Sequence, residues 1–269
     1  MRRIAHISDL HFGTEDPVVA AGLLADIGRQ DPHLIVVSGD LTQRARVHEF
    51  REARTFLDRM TAPKVIVPGN HDVPLYNVVA RLFHPLKRYR RIVTPDMHPC
   101  FQDEELMVAG VNTARSTTWK NGRISLAQIQ GLKAKFEAAP QDHFKVLVSH
   151  HPFIPPAKDA DAALVGRARA ALKVLEACGC SLILAGHLHH AYNGDVRPHH
   201  LEIKRSILVA QAGTAISHRR RNEANAYNHI TLDGNLLNLE VRMWDGRQFA
   251  STGITTYEKS DAGWVGVAP

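Results

Sequence analysis

Apolar residues along the first half of the chain fall into two alternating patterns. Short, largely apolar runs at 4–7, 34–37 and 64–67 have the length and β-branching of buried strands. Between them, 17–30 and 47–60 carry apolar residues at helical spacing, and Pro17 suits a first helical turn. This β-α-β-α-β order predicts a mostly parallel sheet with covering helices, hence an α/β fold. Further strands are expected at 106–111, 144–148 and 182–185. Helices are expected at 125–138, with Ser125 as a candidate N-cap, and at 166–177. Beyond His190 the pattern turns to strands, at 207–210, 228–232 and 236–244, with Asp233-Gly234-Asn235 as a turn. The stretch 76–101 is rich in Arg, His and Pro and reads as a helix-plus-loop cap or excursion over one end of the sheet. No repeat or dividing linker interrupts 1–269, which is read as a single domain, and the Gly- and Ala-rich tail from Ser260 is read as loosely held.

Polar residues mark where each core strand stops. The run at 4–7 leads into Asp9-x-His11, and that at 34–37 into Gly39-Asp40. The run at 64–67 leads into Gly69-Asn70-His71-Asp72. The last two lead into His150-His151-Pro152 and Gly186-His187-x-His189. In open α/β sheets the ligand site lies beyond the carboxyl ends of the strands. One Asp-x-His or His-x-His is commonplace, and His-His-Pro reads equally well as a turn. Five strand ends in succession, each carrying Asp, Asn or His, do not arise as unrelated turns. Gly39, Gly69 and Gly186 each precede a donor and permit close backbone approach. Imidazole and carboxylate donors without thiolate suit Mn, Fe, Zn, Co or Ni. Seven donors are too many for one ion and suit two, with Asp40 able to bridge them. Two ions about 3.5–4 Å apart are the arrangement used for in-line phosphoryl displacement.

Composition narrows the class. The 269 residues are 44% hydrophobic and 22% charged, enough for a sizeable core and ordinary for a globular protein. A net charge of +6 favours anionic ligands. Nucleic acid is admitted by that charge but unsupported, since no recognised binding module or aromatic stacking motif accompanies it. Three cysteines give no disulfide framework, and Cys178-Gly-Cys180 lacks the two-residue spacer of a redox or zinc pair. No window approaches the roughly 18–20 apolar residues of a membrane span, and the N-terminal stretch lacks a signal-peptide pattern, so the expected compartment is the cytoplasm.

The blocks SDLH, GDLT, PGNHD, SHHP and AGHLH, spanning Ser8 to His189 in this order, resemble the calcineurin-like metallophosphoesterases. The resemblance implies a four-layer α/β/β/α sandwich of two mixed sheets. It implies one metal held by Asp9, His11, Asp40 and His189, and a second by Asp40, Asn70, His150 and His187. His150 is preferred to His151 because the family ligand sits two positions before the proline. His71 would stand with Asn70 near the substrate, and Asp72 would orient it. Within the family the chain is similar to the bacterial branch of cyclic-nucleotide phosphodiesterases and glycerophosphodiesterases. It departs from that branch at Gln43-Arg44-Ala45-Arg46, where a glycine often follows GDLT.

The expected activity is therefore hydrolysis of cyclic nucleotides or small phosphodiesters. Two cations would share a hydroxide that attacks phosphorus in line with the leaving oxygen. His71 would donate a proton to the leaving alkoxide, with Asp72 holding its tautomer; the competing reading of His71 is a structural loop histidine. Arg115, and Arg219 within the basic segment 217–221, are candidates to meet the second substituent, although charge runs are usually solvated. Rivals on the same fold are a nuclease or a nucleotide-lipid pyrophosphatase. The latter would favour an apolar cap, whereas 76–101 is more basic than apolar. A rival of another class is a non-catalytic binding module, which would be expected to lack ligands that are all filled here.

Overall fold

The computed structural model describes residues 1–156, 161–220, 223–261 and 263–267. In chain order the elements begin with β1 (Arg2–Ile7), α1 (Pro17–Gln30), β2 (Leu34–Val37), α2 (Val47–Asp58) and β3 (Lys64–Ile66). A 3-10 turn, Asn70–Asp72, precedes α3 (Val78–Phe83), α4 (Lys87–Ile92), β4 (Cys100–Gln102) and β5 (Leu106–Gly110). Then come α5 (Leu126–Ala138), β6 (Phe144–Val148), α6 (Ala168–Ala177), β7 (Cys180–Ala185), β8 (Tyr192–Asp195) and β9 (Leu208–Gln211). The chain closes with β10 (Ala226–Asp233), β11 (Leu236–Trp244), β12 (Phe249–Ser260) and β13 (Gly263–Gly266).

Two mixed sheets result. The first runs β13-β12-β11-β10-β1-β2-β3, parallel from β1 to β3 and antiparallel from β10 to β13. The second runs β4-β5-β6-β7-β9-β8, parallel at its centre with β4 and β8 antiparallel at its edges. Period-2 alternation sorts the central strands between layers. Ile4, Leu34 and Val36 meet Val108, Val146 and Leu184 in one core between the sheets. Ala5, Ile7, Ile35 and Val37 point the other way, against Leu23 of α1 and Phe50 of α2. Ala109, Leu147 and Ile183 likewise back onto Phe136 of α5 and Leu172 of α6. Both faces of each parallel strand are thus covered, which is why those runs read as continuously apolar. The architecture is the expected α/β/β/α sandwich.

Helix ends follow their local chemistry. Asp16 caps α1 by accepting from the amides of Val18 and Val19, with Pro17 at the first position. Ser125 and Gln128 form the capping box of α5. Cys178 ends α6 and Cys180 opens β7, both buried and unbridged.

Four strands were not legible from the pattern. Cys100 and Phe101, read with the excursion, instead begin β4, and β8 follows the His187–His189 loop. β12 is twelve residues long but mostly exposed, so it lacks alternation and is held by pairing along β11. Part of the tail is not loose: β13 pairs with β12 and buries Trp264 against Phe144. Ala262, Ala268 and Pro269 of that tail lie outside the described residues. Among the described residues no helix is long and apolar enough to cross a membrane.

Candidate metal centre

Five loops leave the carboxyl ends of β1, β2, β3, β6 and β7 and converge. Their backbones are stitched together: the amide of Asp9 donates to Gly39 O (3.0 Å), that of His11 to Asp40 O (3.0 Å), and that of Gly186 to His150 O (3.0 Å). The glycines are needed for this closeness. A Cβ on Gly39 would come within 2.7 Å of His150 Nδ1, and φ there is +95°. A Cβ on Gly69 would collide with Asp40 Oδ1, and one on Gly186 with Ser8 Oγ.

Among the described residues the converging side chains form four overlapping groups, two of which are His11, Asp40 and His71, and His150, His151 and His187. Asp9, His11 and His189 offer donor atoms within 4.8 Å of one another, and so do Asp9, Asp40 and His150. His11 Nε2 lies 3.5 Å from Asp9 Oδ1 and 3.7 Å from Asp40 Oδ2. On the other side of Asp40, His150 Nε2 lies 3.4 Å from Oδ2. Asn70 Oδ1 sits 3.1 Å from His150 Nε2 and 3.0 Å from His187 Nδ1. Asp40 therefore stands between a set formed with Asp9, His11 and His189 and a set formed with Asn70, His150 and His187. Asp9 Oδ1 and both ring nitrogens of His11 are buried without a hydrogen-bond partner. An ionised oxygen and an imidazole lone pair left orphaned together are strongly disfavoured unless a cation satisfies both. The residues present fit a two-cation centre on that ground and on donor chemistry.

Neighbouring groups orient the donors. Ser8 Oγ donates to Asp9 Oδ2 (2.6 Å), and the amide of His187 donates to the same oxygen (2.9 Å). His150 Nδ1 donates to Ser38 O (2.7 Å), which directs Nε2 inward. His189 Nδ1 is held by Thr214 Oγ1 (2.6 Å) and lies 3.8 Å from Asp9 Oδ1. Such outer contacts fix ring orientation and tautomer. Ser38 and Ser8 adjoin the sequence blocks; Thr214 lies 25 residues from His189 and carries no local signal.

Electrostatics sort the imidazoles. Burial pushes His187 down to about 3 and His189 to about 4, so both are neutral donors near pH 7. Burial works against a proton on His150 as well, but the charge and hydrogen bond of Asp40 hold it up at about 9. Burial also opposes ionisation of Asp9 and Asp40, yet the surrounding imidazoles keep both below the usual carboxylate range.

Eight described non-glycine residues have left-handed backbone, and five are candidate ligands: Asp9 (φ 53°), His11 (47°), Asp40 (52°), His187 (78°) and His189 (61°). Each such residue costs on the order of 1–3 kcal/mol. The strain turns side chains at strand ends inward, where an extended residue would point across the sheet.

His151 adjoins His150 but both its nitrogens are taken, Nδ1 by Thr113 Oγ1 (2.7 Å) and Nε2 by Lys120 O (2.8 Å). It ties down the loop 112–122 rather than offering a lone pair. Asp72 corrects the expectation that it orients His71. Its carboxylate accepts from the amides of Gly69 (2.9 Å), Leu41 (3.2 Å) and Thr42 (3.0 Å) and from Thr42 Oγ1 (3.0 Å). It therefore joins the loops after β2 and β3. His71 Nδ1 donates instead to Gln43 O (2.9 Å), and its ring stands edge-on to His11. Of the two arginines, Arg219 reaches the rim, with Nη1 3.4 Å from Gln43 Oε1 and its charge felt by His71 and His189. The guanidinium of Arg115 engages Gln128 of α5. Arg221 lies outside the described residues.

Residues 2–191 match the family model of the calcineurin-like phosphoesterases. The chain belongs to this family. A cAMP/cGMP dual specificity phosphodiesterase of Mycobacterium tuberculosis is 30% identical over 210 residues, covering 71% of this chain and 62% of that protein. The glycerophosphodiester phosphodiesterase GpdQ of Enterobacter lignolyticus is 32% identical over 80 residues, 26% of this chain and 29% of the relative. The chain thus spans less than two thirds of either relative. In fold, this calcineurin-like phosphoesterase is similar to a dimetal phosphatase from Danio rerio, with a TM-score of 0.67 at 15% identity, covering 93% of this chain and 98% of that one.

Proposed function

We propose that this protein hydrolyses phosphodiester bonds of cyclic nucleotides or other small phosphodiesters at a dinuclear centre held by Asp9, His11, Asp40, Asn70, His150, His187 and His189. The observation that carries the reading is the convergence of these donors from five strand ends with Asp9 Oδ1 and His11 Nε2 unpartnered. Two cations held there would supply Lewis-acid charge for the phosphoryl oxygens and lower the pKa of a water. The chain's own residues do the rest. Asp40 stands between the two ligand sets and sets their spacing. Asn70 and His71 follow one another into the space beside it, so His71 Nε2 faces a substrate oxygen while Nδ1 stays on Gln43 O. In its doubly protonated form His71 would give the Nε2 proton to the leaving oxygen while Nδ1–H stays on Gln43 O, and its lowered pKa favours this on the acid side. Arg219 supplies a positive charge at the rim for the anionic ester. Asp72 keeps the two loops in register.

The test is hydrolysis of a panel after loading with Mn, Fe, Co, Ni or Zn: 3′,5′-cyclic AMP, 2′,3′-cyclic nucleotides, glycerophosphocholine, and nitrophenyl mono- and diesters. Turnover of at least one diester above the monoester is expected. No hydrolysis with any loading would overturn the enzyme reading in favour of a non-catalytic module. Cleavage of polynucleotides alone would favour a nuclease.

A further inference from the structure

The excursion after the metal-site loop has an inverted helix. In α3 the inward residue is Arg81, while Val78, Val79, Leu82 and Phe83 point outward, the last 72% exposed. Tyr76, just before it, is 75% exposed. Arg81 ties this helix to the neighbouring loop. Its guanidinium donates to Pro74 O (3.1 Å), Ser116 O (2.8 Å) and Thr118 O and stacks over the ring of exposed Trp119 at 4.7 Å. The apolar side chains are therefore kept out in solvent, not left over from a loose segment. A contiguous exposed apolar patch marks an interaction surface.

The neighbouring charges say what fits it. On α4, Lys87, Arg90 and Arg91 are exposed, and among the described residues none forms an ion pair. From 73 to 102 Asp96 is the sole acidic residue, against five Lys and Arg. A groove of about 700 Å³ opens between these helices and α5, lined by Phe83, His84, Lys87, Arg90 and Arg91. A second copy docked here by a two-fold axis would set like charges against each other. Outward apolar side chains flanked by unpaired cations are instead the chemistry of an interfacial segment, apolar groups at the acyl boundary and cations at anionic headgroups.

We propose that the face formed by Tyr76, α3 and α4 docks on an anionic lipid surface. The patch begins four residues beyond Asp72 in the chain. The inference stands on the patch and not on the hydrolytic activity, and binding is read without turnover.

The experiment is flotation of the full-length protein with vesicles of phosphatidylcholine alone or with about a third phosphatidylglycerol, at low and high salt. Binding is expected with the anionic vesicles and should weaken with salt. The pair Val79→Ser and Phe83→Ser should lower the partition coefficient at least about tenfold, as should the pair Lys87→Glu and Arg90→Glu. Unfolding temperature, metal content and turnover of a soluble nitrophenyl ester should not change. Equal binding to neutral and anionic vesicles, or variants that bind as well as the parent, would overturn the proposal. So would absence of vesicle binding together with a dimer that the Val79→Ser, Phe83→Ser variant dissociates, which would assign the face to a second copy.

Discussion

The backbone amide of His187 donates to Asp9 Oδ2 at 2.9 Å, across 178 residues of chain. One carboxylate thus does two things: Oδ2 locks the loop after β7 onto the loop after β1, and Oδ1 is left facing His11. Asp9→Asn would set an amide N–H, or a weaker neutral acceptor, where Oδ2 takes two donors. The expected result is loss of about one metal per chain by elemental analysis and a fall in kcat of roughly a hundredfold or more. Unchanged metal content would count against this assignment.

The adjacent histidines should separate cleanly. His150→Ala is expected to lose metal, because Nε2 faces Asp40 and Asn70. His151→Ala is expected to keep both metals yet destabilise the fold by about 1–3 kcal/mol, because Thr113 and Lys120 lose buried partners. Elemental analysis with urea unfolding reads both. Metal loss in His151→Ala but not His150→Ala would reverse the assignment.

Two backbone positions should respond in opposite senses. Gly69→Ala would drive a methyl into Asp40 Oδ1, with an expected loss of at least about 2 kcal/mol and of bound metal. Ala45 has a φ of +53° while it is fully buried. Ala45→Gly should be neutral or stabilising by up to about 1 kcal/mol, as left-handed strain is relieved against a methyl's worth of packing. A loss well beyond that would show that the methyl outweighs the strain.

His71→Ala should slow hydrolysis of esters with poor leaving groups by about a hundredfold or more, and of nitrophenyl esters far less. Burial lowers the pKa of His71, so its second proton is harder to retain as pH rises. Steady-state kinetics across leaving groups checks this, and equal losses on all of them would refute the acid role.

Away from the centre, Asp26 accepts from Arg242 Nε (2.7 Å) and Nη2 (3.0 Å) and from Tyr227 OH (2.6 Å). Burial raises its pKa, but these bonds outweigh that and bring it below the usual value. A depressed native pKa contributes stability that is full above the unfolded value of about 3.9 and is lost as pH falls through the native one. Arg242→Met should cost about 3 kcal/mol at neutral pH, with the gap from the parent closing in acid. Urea unfolding across pH reads it, and a gap that widens in acid would contradict the sign.

What could be read from the chain alone is uneven for a physical reason. The parallel strands and their terminal donors were legible because both signals are local. Strands buried on both faces give unbroken apolar runs, and a residue type at a strand end needs no partner to be recognised. The exposed strand β12 gave no such signal, since its support is the register with β11. The basic composition of 76–101 likewise concealed that α3 turns its apolar side chains outward around Arg81.

The sequence by itself determined the fold class, the five blocks and the donor chemistry, because substituting Asp, His or Asn there changes what an atom can bind. Tertiary structure decided the rest. His150 and His151 are the same residue type one position apart, and what separates them is Ser38 O against Thr113 and Lys120. Asp72 joins two loops rather than orienting His71 because a carboxylate goes where amide donors converge, and two of those donors, Leu41 and Thr42, come from about thirty positions away. Hydrogen-bond partners are set by which loops meet, and no local pattern of hydrophobic and polar residues carries that information.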